Sequence, residues 1–325
     1  MVYVSANIDG LYLSETALKE LHIINSSFPE PVSVNESKSA ASADVTQQED
    51  TECRCARRAS PPQRPTELPF AATADNVGHM KTWLISAFTS SAFNTCVHQP
   101  LQSMTGAPVN IKFKEDVMPY AVHAPIPIPH HWKQKVKEDI DRDVRLGILE
   151  PVPQGTHTVW CARMVVAPKK DGTPRRTVDL QELNKCTLRE THHTPSPFNL
   201  VSTVPVETVK TVLDAWNGYH SLELSEQAKD ATTFITEWGR YRYCRAPMGF
   251  HTSGDAYTRR FDDITTAAGV LRSVRCIDDT LLWDKSIEDA FWHASKYLSL
   301  VCGEWDCIQQ REVCICSSHS RICWI

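Results

Sequence analysis

The 325-residue chain has no apolar run approaching the roughly 18 to 20 residues that a bilayer-spanning helix needs. Its opening stretch, MVYVSANIDG, lacks the basic segment followed by an apolar one that marks a secretory leader. Net charge is small as well: 34 Lys and Arg against 39 Asp and Glu give a formal −5 and an isoelectric point near 6.2. With no global basic signature, contact with a phosphate backbone has to come from local basic patches. Nor do the 12 cysteines form a disulfide framework. Cys96, Cys161, Cys186, Cys244 and Cys276 stand singly, as buried thiols do. The C-x-C pairs Cys53/Cys55 and Cys314/Cys316 have neither a second pair nor a histidine at zinc-ligand spacing. No internal repeat is present. These absences point to an intracellular protein of cytoplasm or nucleus, reduced, not secreted and without a membrane span.

What is there changes along the chain. In residues 1–25, Leu18, Leu21 and Ile24 follow a Ser14 cap at helical spacing. Residues 26–66 are rich in Ser, Pro, Glu, Gln and Ala and close on the basic run CRCARRASPPQRP. They read as a disordered linker whose cations are a solvated tail or a nucleic-acid contact. Hydrophobic pattern then returns. Met80, Trp83, Leu84 and Phe88 predict a helix. HAPIPIPHHW is extended by its prolines, and Trp132, Val136, Ile140 and Val144 share one face of a helix that Gly147 ends. WCARMVVAPKKDGTPRRTVDL predicts two strands around an Asp171-Gly172 turn. VKTVLD, YHSLEL, ATTFIT and RYRYCRA are further strand candidates. Late helices are expected from near Ser253 to Gly269 and from Ser286, where Asp289 completes a capping box. The order is α+β with antiparallel hairpins rather than doubly wound.

Between those two helices lies RSVRCIDDTLLW, a strand, the acidic pair Asp278-Asp279 and another strand. Alone, such a pair is an ordinary polar turn. Asp214, closing the strand VKTVL, adds a third carboxylate at a strand end. Three such carboxylates suit two divalent, oxygen-seeking cations, with Mg²⁺ the leading choice and Mn²⁺ a substitute. Those ions would serve an in-line phosphoryl displacement. Lys169, Lys170, Arg175 and Arg176 gather around one turn, where they either clamp a triphosphate or solvate a charged hairpin.

Five ordered blocks then carry a resemblance. VVAPKKDGTPRRTVDLQELNK resembles the fingers segment of the reverse transcriptase of gypsy-like long-terminal-repeat retrotransposon Pol polyproteins. VLDAWNGYHSLEL resembles its first catalytic palm motif, and RCIDDTLLW its second. DATTFITEWGRYRYCRAPMGF and SGDAYTRRFDDI resemble the palm region facing template and primer. The match covers about residues 90–304. It implies a right-hand polymerase fold with fingers and palm, whose palm is an antiparallel sheet flanked by helices. It also implies RNA-directed DNA synthesis, and as partners an RNA or DNA template with primer and deoxynucleoside triphosphates. Position by position, it implies that Asp214, Asp278 and Asp279 hold the metals, and that Tyr219 lies beneath the incoming sugar. Lys169, Lys170 and Arg175 would reach the triphosphate. Met248 and Gly249 would line the nucleotide pocket or simply pack the palm. Cys276 stands where the family usually has Tyr.

The resemblance divides the chain into a segment 1–25 following a retropepsin-like region, the linker 26–66, an extension 67–129, fingers and palm over 130–304, and a tail 305–325. Asp-Thr-Gly and Asp-Ser-Gly are absent, so no protease activity is expected. The tail, WDCIQQREVCICSSHSRICWI, shows neither helical nor strand period. Back-translated with permitted codons and read one base later, it gives GIVFNREKFVFA, similar to the start of the family's thumb. The expectation is a frameshift near Glu304 and an essentially missing thumb. Two rivals to the polymerase remain. One is an inactive truncated element that at most binds nucleic acid. The other is a metal-dependent nuclease, against which the fingers hairpin and Tyr219 argue.

Overall fold

A computed structural model of the chain describes residues 62–189, 192, 197–276, 278–304, 307–308 and 314–316. Contacts divide the chain into Met1–Glu52 and Cys53–Ile325. The first unit, with the expected Ser14-capped helix, lies outside the described residues, as does most of the expected linker. The described residues all belong to the second unit.

Helix α1 (Val77–Ala87) buries Met80 and Leu84, and the Trp83 ring packs 5.6 Å from that of Phe291. After the proline-bearing stretch, α2 (His130–Arg145) buries Val136 and Ile140, and Gly147 takes φ +69° just beyond its end. β1 (Leu149–Pro151), β2 (Ala162–Pro168) and β3 (Pro174–Val178) come next, followed by α3 (Gln181–Cys186) and α4 (Pro197–Thr203). β4 (Val209–Trp216) leads into a 3-10 turn, Gly218–Ser221. Then come α5 (Glu226–Ala231), β5 (Phe234–Thr236), β6 (Gly239–Tyr243) and α6 (His251–Ala267). The chain closes with β7 (Ser273–Cys276), β8 (Asp279–Asp284), α7 (Ile287–Glu304), β9 (Cys307–Ile308) and β10 (Cys314–Cys316). The expected capping box starts α7. The Asp289 N–H donates to Ser286 Oγ at 3.0 Å, and that hydroxyl donates to Asp289 Oδ2 at 2.9 Å.

Two sheets result. The first has the order β1-β6-β5-β2-β3 and is antiparallel except where β2 runs parallel to β5; α2 covers β1 and β3. The second, β10-β4-β8-β7, is antiparallel throughout, with α7 packed on β4 and β8. Its core is made by Leu213 and Leu282 against Phe291, Ala294, Tyr297 and Leu298, each almost wholly buried. A fully buried Leu or Phe contributes about 1.5–3 kcal/mol, so this seam fixes which face of α7 meets the sheet. The central cysteines Cys96, Cys161, Cys186, Cys244 and Cys276 are free thiols. Among the described residues no helix is long and apolar enough to cross a membrane.

Four local expectations are corrected. YHSLEL does not continue as a strand, because Asn217 takes the left-handed conformation (φ +59°) and Gly218–Ser221 coils behind it. In ATTFIT only Phe234–Thr236 is strand. The hydroxyls of Thr232 and Thr233 donate to Lys229 O and Asp230 O, which ends α5 rather than extending a ladder. The tail is not without regular structure, since β9 and β10 run antiparallel to β4 along its outer edge. An open edge offers backbone donors and acceptors to any extended segment, and no side-chain pattern is needed to fill it. Finally, the linker's last residues are ordered against α7, with Arg64 5.3 Å above the Trp292 ring.

Candidate active site

β4 and β8 are register partners over their length, ending with Asp214 opposite Asp279. Side chains of directly opposed residues share a face, with Cβ atoms about 4.5–5.5 Å apart. The backbone register therefore presents both carboxylates on the same side of the sheet. Cys276 and Asp279 are partners across β7 and β8, so only two residues connect the strands, and Asp278 is the second of them. The Ala215 N–H donates to Asp278 O at 3.0 Å, tying that connection to the residue after Asp214. All three carboxylates thus lie at one end of the second sheet.

All three are partly buried, and Asp278 carries a buried oxygen, Oδ1, that has no hydrogen-bond partner. A Cβ added at Gly218 would stand 2.6 Å from that oxygen and 2.8 Å from the Tyr257 hydroxyl, so a glycine is what makes room there. Burial raises the Asp278 pKa; the Arg275 charge opposes this and the Asp279 charge adds to it. Among the described residues, no three His, Cys, Asp or Glu side chains converge into a ready-made metal-holding group. The carboxylates are gathered by backbone register, with Asp278 turned inward. The donor set still fits hard divalent cations, because it is all carboxylate oxygen and one of those oxygens is buried unsatisfied.

Tyr219 lies in the 3-10 turn directly after β4 and packs edge-on against Tyr257, with ring centroids 5.5 Å apart at 90°. Burial, reinforced by the Asp278 charge, pushes its phenol up to about 12, so the hydroxyl stays protonated at neutral pH. Beneath it, the buried Arg275 guanidinium is sandwiched 4.2 Å from the Tyr257 ring and 3.8 Å from the Phe261 ring. It also donates to the Tyr257 hydroxyl. Reading the sequence did not single out Arg275 or Tyr257, which are separated by 18 positions. The signal that could have found them is their place within the blocks RCIDDTLLW and SGDAYTRRFDDI.

The cations sit on the first sheet. Gly172 takes φ +81° at the tip of the β2–β3 hairpin, and Asp171 Oδ1 accepts from the Thr173 N–H and hydroxyl at 3.0 and 2.7 Å. Lys169, Lys170 and Arg175 are exposed around that tip. Arg176 is not with them. Strand alternation turns it inward, where it forms an ion pair with the buried Asp143 of α2. Met248 is half exposed, and Gly249 follows at φ +87° in the turn before α6.

No protein-family model matches the chain. Over 212 residues, 63% of the chain, it is 24% identical to the retrovirus-related Pol polyprotein from transposon gypsy of Drosophila melanogaster. It is 31% identical over 192 residues, 54% of the chain, to the Gag-Pol polyprotein of feline leukemia virus. It spans 19% and 11% of those polyproteins, a small part of their length. Among solved structures, the foamy viral protease-reverse transcriptase in complex with RNA/DNA hybrid superposes with TM-score 0.65 at 16% identity. That match covers 78% of this chain and 35% of the other.

The chain carries a reverse-transcriptase-like domain.

The exposed cations lie on the hairpin of the first sheet, and the three carboxylates at the end of the second.

Proposed function

We propose that the chain is the core of an RNA-directed DNA polymerase, joining deoxynucleotides to a primer by two-metal nucleotidyl transfer. One observation carries this reading: Asp214 and Asp279 are paired in register, and Asp278 stands in the adjoining connection. Asp214, Asp278 and Asp279 would hold two Mg²⁺ ions, which when bound activate the primer 3′-hydroxyl and offset the charge of the leaving pyrophosphate. The primer oxygen forms a bond to the α-phosphorus while the bond to the bridging oxygen breaks. Lys169, Lys170 and Arg175 would bind the triphosphate electrostatically. Tyr219, neutral and braced edge-on by Tyr257, would occupy the space of a 2′-hydroxyl and favour deoxynucleotides. The fold likeness to a polymerase bound to RNA/DNA hybrid supports a primed template as partner.

A second reading, a fragment that binds nucleic acid without catalysis, is favoured by the inward turn of Asp278 Oδ1. Primer extension on a primed RNA template with Mg²⁺ and deoxynucleotides separates the two. Extension by the folded chain is the expected result. Duplex binding without extension would contradict the polymerase reading and leave the second.

A further inference from the structure

Four residues after β3, Asn184, Thr187, Arg189 and His192, fasten their stretch of chain to α6 and to the turn before it. Asn184 makes two of the links. Its Nδ2–H donates to Gly249 O at 2.8 Å, and its Oδ1 accepts from the His251 N–H at 3.1 Å. Because a backbone carbonyl only accepts and a backbone N–H only donates, these partners fix the orientation of the amide. Thr187 Oγ1 lies 3.2 Å from His251 Nε2. Arg189 holds the buried Asp255 at 2.7 and 3.1 Å, and His192 Nε2 lies 3.0 Å from Asp262 Oδ2. His251, Asp255 and Asp262 fall on one face of α6.

The two Asn184 bonds straddle a backbone that would otherwise be poorly determined. Gly249, at φ +87°, is in a region that L side chains rarely adopt, and no Cβ there would touch anything within 4 Å. Met248 beside it is half exposed. The flanks of the turn are anchored, with Phe250 buried and Ser253 Oγ donating to Pro247 O at 2.8 Å, but Met248 and Gly249 between them are unpacked, and there the amide of Asn184 supplies the hold. On its other side, Asn184 belongs to α3, which begins three residues after β3 ends, so it is nearly continuous with the hairpin that carries Lys169, Lys170 and Arg175.

We propose that Asn184 is a positioning residue for the incoming nucleotide, locking the Met248–Gly249 turn to the cationic fingers hairpin so that the two move as one body. The inference rests on the polymerase reading. An unlocked turn would have to be ordered each time a nucleotide binds, which weakens nucleotide binding more than it slows the chemical step. The acidic variant Asn184→Asp keeps the acceptor for the His251 N–H but sets a carboxylate against Gly249 O. It loses half of the link while retaining an anchor for the fold.

The test is steady-state primer extension by the full chain on a primed RNA template with varied deoxynucleotide, comparing wild type, Asn184→Ala and Asn184→Asp. The expected result is a KM for deoxynucleotide raised by about tenfold in both variants, with kcat within about twofold and primer–template affinity unchanged. If Asn184→Ala does not fold, Asn184→Asp carries the comparison. Extension by wild type together with a wild-type KM in the folded variants, or a loss confined to kcat, would overturn this inference alone. No extension by folded wild type would overturn the polymerase reading and this inference with it.

Discussion

Asp214 and Asp279 face one another across β4 and β8, two carboxylates as register partners at the end of an otherwise well-packed strand pair. Like charges directly opposite destabilise a strand pair by roughly 0.2–1 kcal/mol, and Asp278, with its buried unsatisfied oxygen, adds to the strain. A bound divalent ion would turn this repulsion into attraction. Millimolar Mg²⁺ is therefore expected to raise the thermal midpoint of the wild-type chain, and the rise should vanish in Asp278→Asn/Asp279→Asn. Scanning calorimetry with and without the ion reads this; an equal shift in both proteins would place the ion elsewhere.

The inward and outward faces of β3 separate stability from substrate handling. Arg176, 12% exposed, pairs with Asp143, 9% exposed. Arg142 also reaches Asp143 at 3.1 Å, so removing Arg176 does not leave that carboxylate unpaired, but losing a buried charge-assisted hydrogen bond costs about 1.5–3 kcal/mol. Arg176→Ala should lower the urea midpoint strongly. The exposed Arg175→Ala should change stability by no more than about 0.5 kcal/mol, while raising the KM for deoxynucleotide.

Two glycines near Tyr219 should respond oppositely to alanine. At Gly218 an added Cβ meets Asp278 Oδ1 at 2.6 Å and the Tyr257 hydroxyl at 2.8 Å. At Gly254 it meets only the Tyr219 ring end, with the hydroxyl at an ordinary 3.5 Å. Gly218→Ala is expected to cost about 1–3 kcal/mol, as overpacking does, and to displace Asp278 enough to abolish extension. Gly254→Ala should fold and extend nearly as wild type does. Paired melting and extension assays on the two variants check the contrast.

His220 gives the fold an acid limit. Burial pushes its imidazole down to about 4 from an ordinary 6.5, and its Nδ1 lies 3.0 Å from Ala246 O. Between those two values the unfolded chain binds a proton that the folded chain excludes, so stability falls as pH drops through 6.5 and levels off below about 4. Urea unfolding at pH values spanning this window should show a falling midpoint, and His220→Gln should flatten its upper part.

Much of this architecture was legible because its signals are local. The Asp171-Gly172 turn, the Met80–Leu84 spacing and the Ser286–Asp289 cap each depend on residues a few positions apart. The β7–β8 hairpin was equally readable from apolar strands on either side of an acidic pair. Arg176 was not separated from Arg175, although strand alternation carries that information, because its partner Asp143 lies 33 positions away. The links of Asn184 to the Gly249 turn, 65 and 67 positions on, and of Arg275 to Tyr257 leave no trace in any short window. YHSLEL and the ends of ATTFIT differ from expectation where one left-handed residue and two threonine hydroxyls outweigh strand propensity. The pairing of β9 and β10 with β4 depends on backbone alone, so side-chain pattern could not announce it.

The most direct test of the carboxylate assignment is to measure extension and primer–template binding on the same preparations of wild type, Asp214→Asn and Asp278→Asn/Asp279→Asn. The account predicts that wild type extends, that both variants lose extension by at least about a thousandfold, and that all three bind duplex alike. Extension surviving in either folded variant would contradict it.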